Sequence, residues 1–221
     1  VKVVLIRHGE SEANFENYWT GWLDVALTEK GRKQAWQAGE QLKELDISID
    51  VAFASYLKRT IITCNTILEA SQQLWVPVQK TWRLNERHYG QLVGVNKDEM
   101  ITQYGKEQVQ KWRRGYDEPP LYVAENQFDR RYNHLDSSLI PKGENLGMVV
   151  ERIVPFWSDE VVPLIKSGKN VLISGHGNSI RALVKYLENV PEDQVDTIDV
   201  PNAQPIIYTF DAQATLLNRE G

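Results

Sequence analysis

The sequence predicts an α/β fold, with a mostly parallel central sheet flanked by helices on both faces. Three observations lead there. Short apolar runs suited to buried strands alternate with longer segments of helical periodicity, the order from which parallel sheets are built. Two of those runs end alike: Val3 to Ile6 lead into Arg7-His8-Gly9, and Val171 to Ser174 lead into Gly175-His176-Gly177. With 221 residues, 42% of them hydrophobic, the chain can bury one substantial core, so a single domain over 1–221 is expected.

The elements follow in order. Residues 2–6 read as a buried strand, followed by a loop rich in polar and aromatic residues. A helix begins near Thr28, a good N-cap followed by Glu29, and carries the stripe Ala35, Ala38, Gly39, Leu42 and Leu45. A strand at 50–54 precedes a helix over about 57–74, where Leu57, Ile61, Cys64 and Leu68 share a face, and a third strand is expected at 78–84. Between about 85 and 140 the pattern breaks into short helices and loops. Asn96 and Glu99 are spaced like a capping box there, and Pro119-Pro120 close a 112–116 helix. So long an excursion suggests a segment that covers a substrate. Residues 144–166 read as a helix that Pro155 and Pro163 kink or split. The most apolar strand (170–174), a helix over 178–187, and strands near 205–211 and 215–218 complete the chain.

Composition narrows the function. A net charge of −5 argues against a nucleic-acid partner, since a phosphate backbone selects for a broad basic face, but it leaves room for a small anion held by a local cluster of cations. No apolar run approaches a membrane span and no signal-peptide pattern opens the chain, so a cytoplasmic setting is expected. One cysteine, Cys64, excludes an internal disulfide framework, and four scattered histidines offer no zinc-type spacing, so no metal is invoked.

In an open α/β sheet, ligands gather beyond the carboxyl ends of the strands, so His8 and His176 meet in one crevice if their strands are neighbours. Each is followed by a glycine and then by polar residues, Glu10-Ser11 or Asn178-Ser179. Taken singly, a strand-end histidine reads as a packing residue; the repetition makes the two a site. Arg59 opens the helix after the second strand, on the same side of the sheet.

These residues, with Asn14, Thr20-Gly21-Trp22, the stretches RLNERHYGQLVGVNK and KWRRGYD, RRYNHLD, and GHGNSIRAL, resemble the cofactor-dependent phosphoglycerate mutases of the histidine phosphatase superfamily. The resemblance runs from about Val3 to Tyr208 and implies that family's three-layer sandwich. It also implies interconversion of 3-phosphoglycerate and 2-phosphoglycerate, priming by 2,3-bisphosphoglycerate without a metal, and a homodimer or homotetramer.

By resemblance His8 carries the phosphoryl group, His176 is its partner across the phosphorus, and Asn14 is a further ligand of its oxygens. Chemistry asks for cations and N–H donors around such a group, which Arg7, Arg59, His176 and the Gly177 amide supply. Ser11, Thr20 and Gly21 match positions that contact phosphate or the substrate carboxylate, and Asn178 follows Gly177 in the same motif. Glu86 is the candidate general acid and base, a double duty that burial of a carboxyl favours; a salt bridge to Arg83 or Arg87 is its alternative. Lys97, Tyr89, Arg113 and Arg114 resemble the clamp for the substrate's remaining phosphate and carboxylate. The seven tryptophans read as core and loop anchors, and His88 and His134 as structural or surface residues.

The chain departs from the family in four places, one of them the segment after Pro120, which lacks the family's usual longer proline run. Pro201-Asn202-Ala203 replaces Pro-Thr-Gly, so glycine-specific geometry is not expected there. Asn145-Leu146 replaces Ser-Leu. The sequence ends at Gly221, short of the family's flexible tail, which bears on the balance between transfer and hydrolysis. A histidine phosphatase acting on small phosphorylated metabolites, and a catalytically silent binding module, are the alternative readings.

Overall fold

The computed structural model describes residues 1–125 and 129–221. The chain opens with β1 (Lys2–Arg7), the five-residue helix α1 (Glu12–Glu16) and the long α2 (Glu29–Glu44). Next come β2 (Val51–Ala54), α3 (Lys58–Ala70) and β3 (Val78–Lys80), then the short helices α4 (Lys97–Tyr104) and α5 (Lys106–Arg114). The C-terminal part contains α6 (Leu146–Phe156), α7 (Val162–Lys166), β4 (Val171–Gly175), α8 (Gly177–Glu188), β5 (Ile206–Phe210) and β6 (Leu216–Glu220).

All six strands form one sheet in the order β3-β2-β4-β1-β5-β6. The first four are mutually parallel, while β5 runs antiparallel to β1 and to β6. This is the α/β sheet that the sequence predicts, with its antiparallel part confined to one edge. Alternation along the strands sorts the core into two layers. Val3, Leu5, Val51, Phe53, Val171 and Ile173 face α6 and α8. Val4, Ile6, Ala52, Ala54 and Leu172 face α2 and α3.

Three elements differ from expectation, one of them the helix read at 112–116, which is α5, Lys106–Arg114, closed by Gly115. The third strand is only three residues long, because Trp82–Leu84 turn into a 3₁₀ helix capped by Thr81. The helix after β2 stops at Ala70 rather than 74, and Gln72 takes a left-handed turn. Pro155 and Pro163 interrupt their helix as expected, into α6 and α7. The two are joined by a π-helical turn, Trp157–Val161, with αR dihedrals at both joins.

The register positions the site. Arg7 pairs with Gly175 on the parallel neighbour, and the His8 N–H donates to the Gly175 carbonyl at 3.0 Å, so His8 and His176 leave the sheet side by side. Beyond β1 the chain lies on the first turn of α2. There the Thr28 N–H donates to the Glu10 carbonyl at 2.9 Å, and Gly9 and Glu10 meet Gly31 so closely that a Cβ on Gly31 would strike the Glu10 carbonyl oxygen. Gly31→Ala is therefore expected to destabilise the fold by about 1–3 kcal/mol, the usual cost of overpacking. A urea midpoint unchanged from that of the parent chain would show that the contact does not hold the loop.

Candidate active site

Two loops at the carboxyl ends of β1 and β4 bring His8 and His176 together, with ring centroids 5.1 Å apart at an interplanar angle of 65°. His8 Nδ1 lies 2.7 Å from the Gly9 carbonyl oxygen. A carbonyl only accepts, so Nδ1 carries the proton and Nε2 keeps a free lone pair. His176 Nε2 lies 2.9 Å from Ser55 Oγ, while its Nδ1 is buried without a partner.

Both rings are pushed well below the ordinary histidine value. Burial is the largest cause for each, followed by the Arg59 charge, with Arg7 adding to both and His8 adding to His176. The pair is therefore held neutral, as a nucleophilic imidazole must be.

The surrounding cations are wired to backbone carbonyls. Arg59 is fully buried and donates to the Leu23 and Gly21 carbonyls at 2.7 and 2.9 Å, and desolvation brings it down to about 10. Arg7 Nη1 donates to the Val200 carbonyl at 2.9 Å, which leaves Nε buried and unpartnered, a donor awaiting an oxygen. Ser11 and Asn14 cap α1 reciprocally. Asn14 Oδ1 accepts the Ser11 N–H at 3.1 Å, so the Asn14 amide nitrogen is the end left to the cleft.

Glu86 forms no salt bridge with Arg83 or Arg87. Its Oε1 instead accepts two backbone N–H groups, from Arg87 at 2.8 Å and Asn178 at 3.1 Å, and Oε2 has no partner among the described residues. The Arg87 side chain turns to the Glu144 carbonyl, and Arg83 to that of Arg152. Beneath the loop lies a buried ion pair, Arg152 with Glu144 at 2.7 Å. Arg152 Nη2 also donates to the carbonyls of Asn85 and Glu86 at 3.0 Å each, fixing the strand of backbone from which Glu86 projects.

From the 85–140 excursion, Tyr89, Lys97, Arg113 and Arg114 all reach the same cleft. Burial, with Arg113 and Arg7 close by, lowers Lys97 to about 8, and burial raises Tyr89 to about 12. Six cationic side chains and the single carboxylate Glu86 line the cleft, so a chain of net charge −5 presents its positive charge where an anion can dock.

The structure brings Arg7, His8, Ser11, Asn14, Thr20, Arg59, Glu86, Tyr89, Lys97, Arg113, Arg114, Gly177 and Asn178 onto one wall or another of this cleft. His176 does not itself line the cleft; its ring meets that of His8, which does. Gly21 does not line the cleft; it acts one step back, through its carbonyl on Arg59, with a positive φ of 52°. Among the described residues, no cluster of three or more His, Cys, Asp or Glu side chains is placed to hold a metal ion. No helix among them is long and apolar enough to cross a membrane.

A family model described as the histidine phosphatase superfamily (branch 1) matches residues 3–220. The chain belongs to the histidine phosphatase superfamily. It is 53% identical over 216 residues to the 2,3-bisphosphoglycerate-dependent phosphoglycerate mutase of Streptococcus uberis, covering 96% of this chain and 94% of that one. It is 52% identical over 221 residues to the protein of the same name from Streptococcus equi subsp. zooepidemicus, with 98% and 96% covered. Among solved structures, Bacillus stearothermophilus YhfR shares the fold, with a TM-score of 0.75 at 22% identity over 98% of this chain and 94% of that one.

Sequence reasoning missed several residues of this histidine phosphatase superfamily site. Tyr18, Trp19 and Arg181 also line the cleft. Arg181 had a signal, because on α8 it lies one turn beyond Gly177 and so shares that residue's face. Asn202 had none, since its partners come from the far end of the chain. Its amide donates to the His8 carbonyl at 2.8 Å and approaches Asn14 Oδ1 at 3.5 Å. Next to it the structure corrects an expectation. Ala203 adopts φ 51°, in the left-handed region that favours glycine, and its N–H donates to the Arg7 carbonyl at 2.9 Å.

The two neutral histidines set a pH dependence. Their folded values lie below the ordinary one, so as pH falls through about 6.5 the unfolded chain takes up protons that the folded chain refuses, and stability drops. The expected slope is about 1.4 kcal/mol per pH unit for each ring until its lowered value is reached. Urea unfolding between about pH 7.5 and pH 5.5 reads it, and His8→Asn and His176→Asn should each remove one share; a flat profile in the parent chain would contradict buried neutral rings.

Proposed function

We infer that this chain is a phosphoglycerate mutase that interconverts 3-phosphoglycerate and 2-phosphoglycerate through a phosphohistidine enzyme, in glycolysis and gluconeogenesis. The observation that carries the reading is the neutral His8, its Nε2 free beside His176, Arg7 and Arg59, at the base of a cleft with a second cationic wall. Relatives more than 50% identical over nearly the full chain bear that activity in their name.

The orphaned Arg7 Nε, the free Asn14 amide and the N-terminus of α8 suit a phosphoryl group at His8, and Lys97, Arg113 and Arg114 suit a second anionic group. That pairing fits 2,3-bisphosphoglycerate, which supplies the priming phosphoryl group. The His8 Nε2 lone pair takes the phosphoryl, and Arg7, Arg59, His176 and the Gly177 N–H stabilise the charge on its equatorial oxygens. On transfer, the substrate hydroxyl attacks phosphorus, the bond from Nε2 breaks, and the hydroxyl proton passes to Glu86 Oε2. In the return step His8 Nε2 takes the phosphoryl from the other carbon, and Glu86 gives its proton to the leaving oxygen. Segment 85–140 covers the substrate, since Tyr89, Lys97, Arg113 and Arg114 all come from it. The resemblance also carries a homodimer or homotetramer and a cytoplasmic setting.

The phosphatase reading differs only in the acceptor, water in place of a substrate hydroxyl. Tyr89, Lys97, Arg113 and Arg114, gathered on one wall, favour the mutase, because a broad phosphatase has less need of a clamp for a three-carbon acid. A coupled mutase assay on 3-phosphoglycerate, with and without 2,3-bisphosphoglycerate, tests the reading. Turnover that depends on the bisphosphate and vanishes in His8→Ala is expected, with a loss of about 10²–10⁴ in kcat for Glu86→Gln. Release of inorganic phosphate faster than mutation would assign the chain to the phosphatases instead.

A further inference from the structure

We propose that Arg181 is a positioning residue that fixes the direction of the Tyr89 hydroxyl proton, aiming it into the cleft at an anionic oxygen of the substrate. The proposal rests on the mutase reading for the identity of that substrate, but its geometry stands on hydrogen-bond chemistry alone. The Arg181 guanidinium has only donors. Its Nη1 lies 2.7 Å from one end of the Asn178 amide, so that end is the carbonyl oxygen and the other is the NH₂ group. The NH₂ lies 2.7 Å from the Tyr89 hydroxyl oxygen and donates to it. The phenol oxygen accepts there, and no other partner takes its hydrogen among the described residues. The hydroxyl hydrogen therefore points toward the cleft that Tyr89 lines.

The remaining freedoms of the group are already removed. Trp19 meets the Tyr89 ring edge-on at a centroid distance of 4.7 Å, and the Arg87 guanidinium lies over it at 5.8 Å, so the ring is held from two sides. Burial keeps the phenol neutral, and it stays a donor across the working pH range. Arg181 is itself anchored by its Nε on the Ile198 carbonyl at 3.1 Å, two residues before the Val200 carbonyl that holds Arg7. One loop thus holds both the guanidinium beside the nucleophile and the one that orients the clamp. Asn178 links them further, since its backbone N–H donates to Glu86 Oε1.

If Arg181 acts this way, its removal lets the Asn178 amide turn over and accept the Tyr89 hydrogen, pulling it out of the cleft. Asn178→Asp does the same without touching Arg181, because a carboxylate accepts from both neighbours.

The test is a double-mutant cycle with Tyr89→Phe, read as kcat and KM in the mutase assay and as 3-phosphoglycerate affinity by titration calorimetry. Arg181→Met and Asn178→Asp are each expected to raise KM about 10-fold more when Tyr89 is present than in the Tyr89→Phe background, with kcat moving less. Any loss common to both backgrounds belongs to the charge change and to the other contacts of the substituted residue. Equal cost in the two backgrounds, for both variants, would overturn the proposal. If Arg181→Met fails to fold, Asn178→Asp decides by itself. Binding of 3-phosphoglycerate without turnover would overturn the mutase reading and leave the relay to the calorimetric cycle, while absence of binding would sink both.

Discussion

The hydrogen bond from His8 Nδ1 to the carbonyl of its own neighbour, Gly9, is the constraint on which the site depends. It settles the tautomer and aims Nε2 away from the backbone, in a ring whose burial among guanidinium groups forbids a charge. Everything needed to keep that bond in place lies in the surrounding fold. The parallel register of β1 with β4 fixes the His8 N–H on Gly175, Thr63 accepts the Gly9 N–H at 3.1 Å, and Asn202 holds the His8 carbonyl. The close approach of Gly9 and Glu10 to Gly31 sets the loop against α2.

A second constraint shapes the cations. Arg7, Arg59 and Arg181 are tethered by neutral carbonyls of Val200, Leu23, Gly21 and Ile198 rather than by carboxylates. Their charge is oriented but not cancelled, and it is available to a phosphoryl group that brings its own negative charge. Desolvation lowers Arg59 and Arg181 to about 10, which still leaves both ionised near neutrality. A site preorganised in this way needs little rearrangement as charge develops in transfer. Glu86 is handled oppositely: one oxygen is pinned by two backbone N–H groups and the other has no partner among the described residues.

Much of this was legible in the sequence because it is local. The apolar runs and the helical stripes give the alternating fold, and the two His-Gly strand ends give the crevice. What the sequence could not reveal depends on contacts between distant segments. Asn202 lies 194 residues from the His8 carbonyl it holds. Arg152, paired with Glu144, supports the Glu86 carbonyl from 66 residues away. The short β3 follows from the 3₁₀ turn at Trp82–Leu84, which Thr81 caps and the local pattern does not announce. Ala203 shows the reverse error. Its side chain argued against a left-handed conformation, yet it adopts one, with its N–H on the Arg7 carbonyl.

The central claim is that His8 reacts through Nε2 because Nδ1 is committed to Gly9. Phosphorus and nitrogen NMR of the ¹⁵N-histidine-labelled phosphoenzyme, kept at alkaline pH, reads the bonded nitrogen directly. The account predicts a single phosphohistidine with phosphorus coupled to Nε2. Phosphorus on Nδ1 would mean that the Gly9 bond does not exist in the working enzyme, and the orientation of the whole pocket would have to be drawn again.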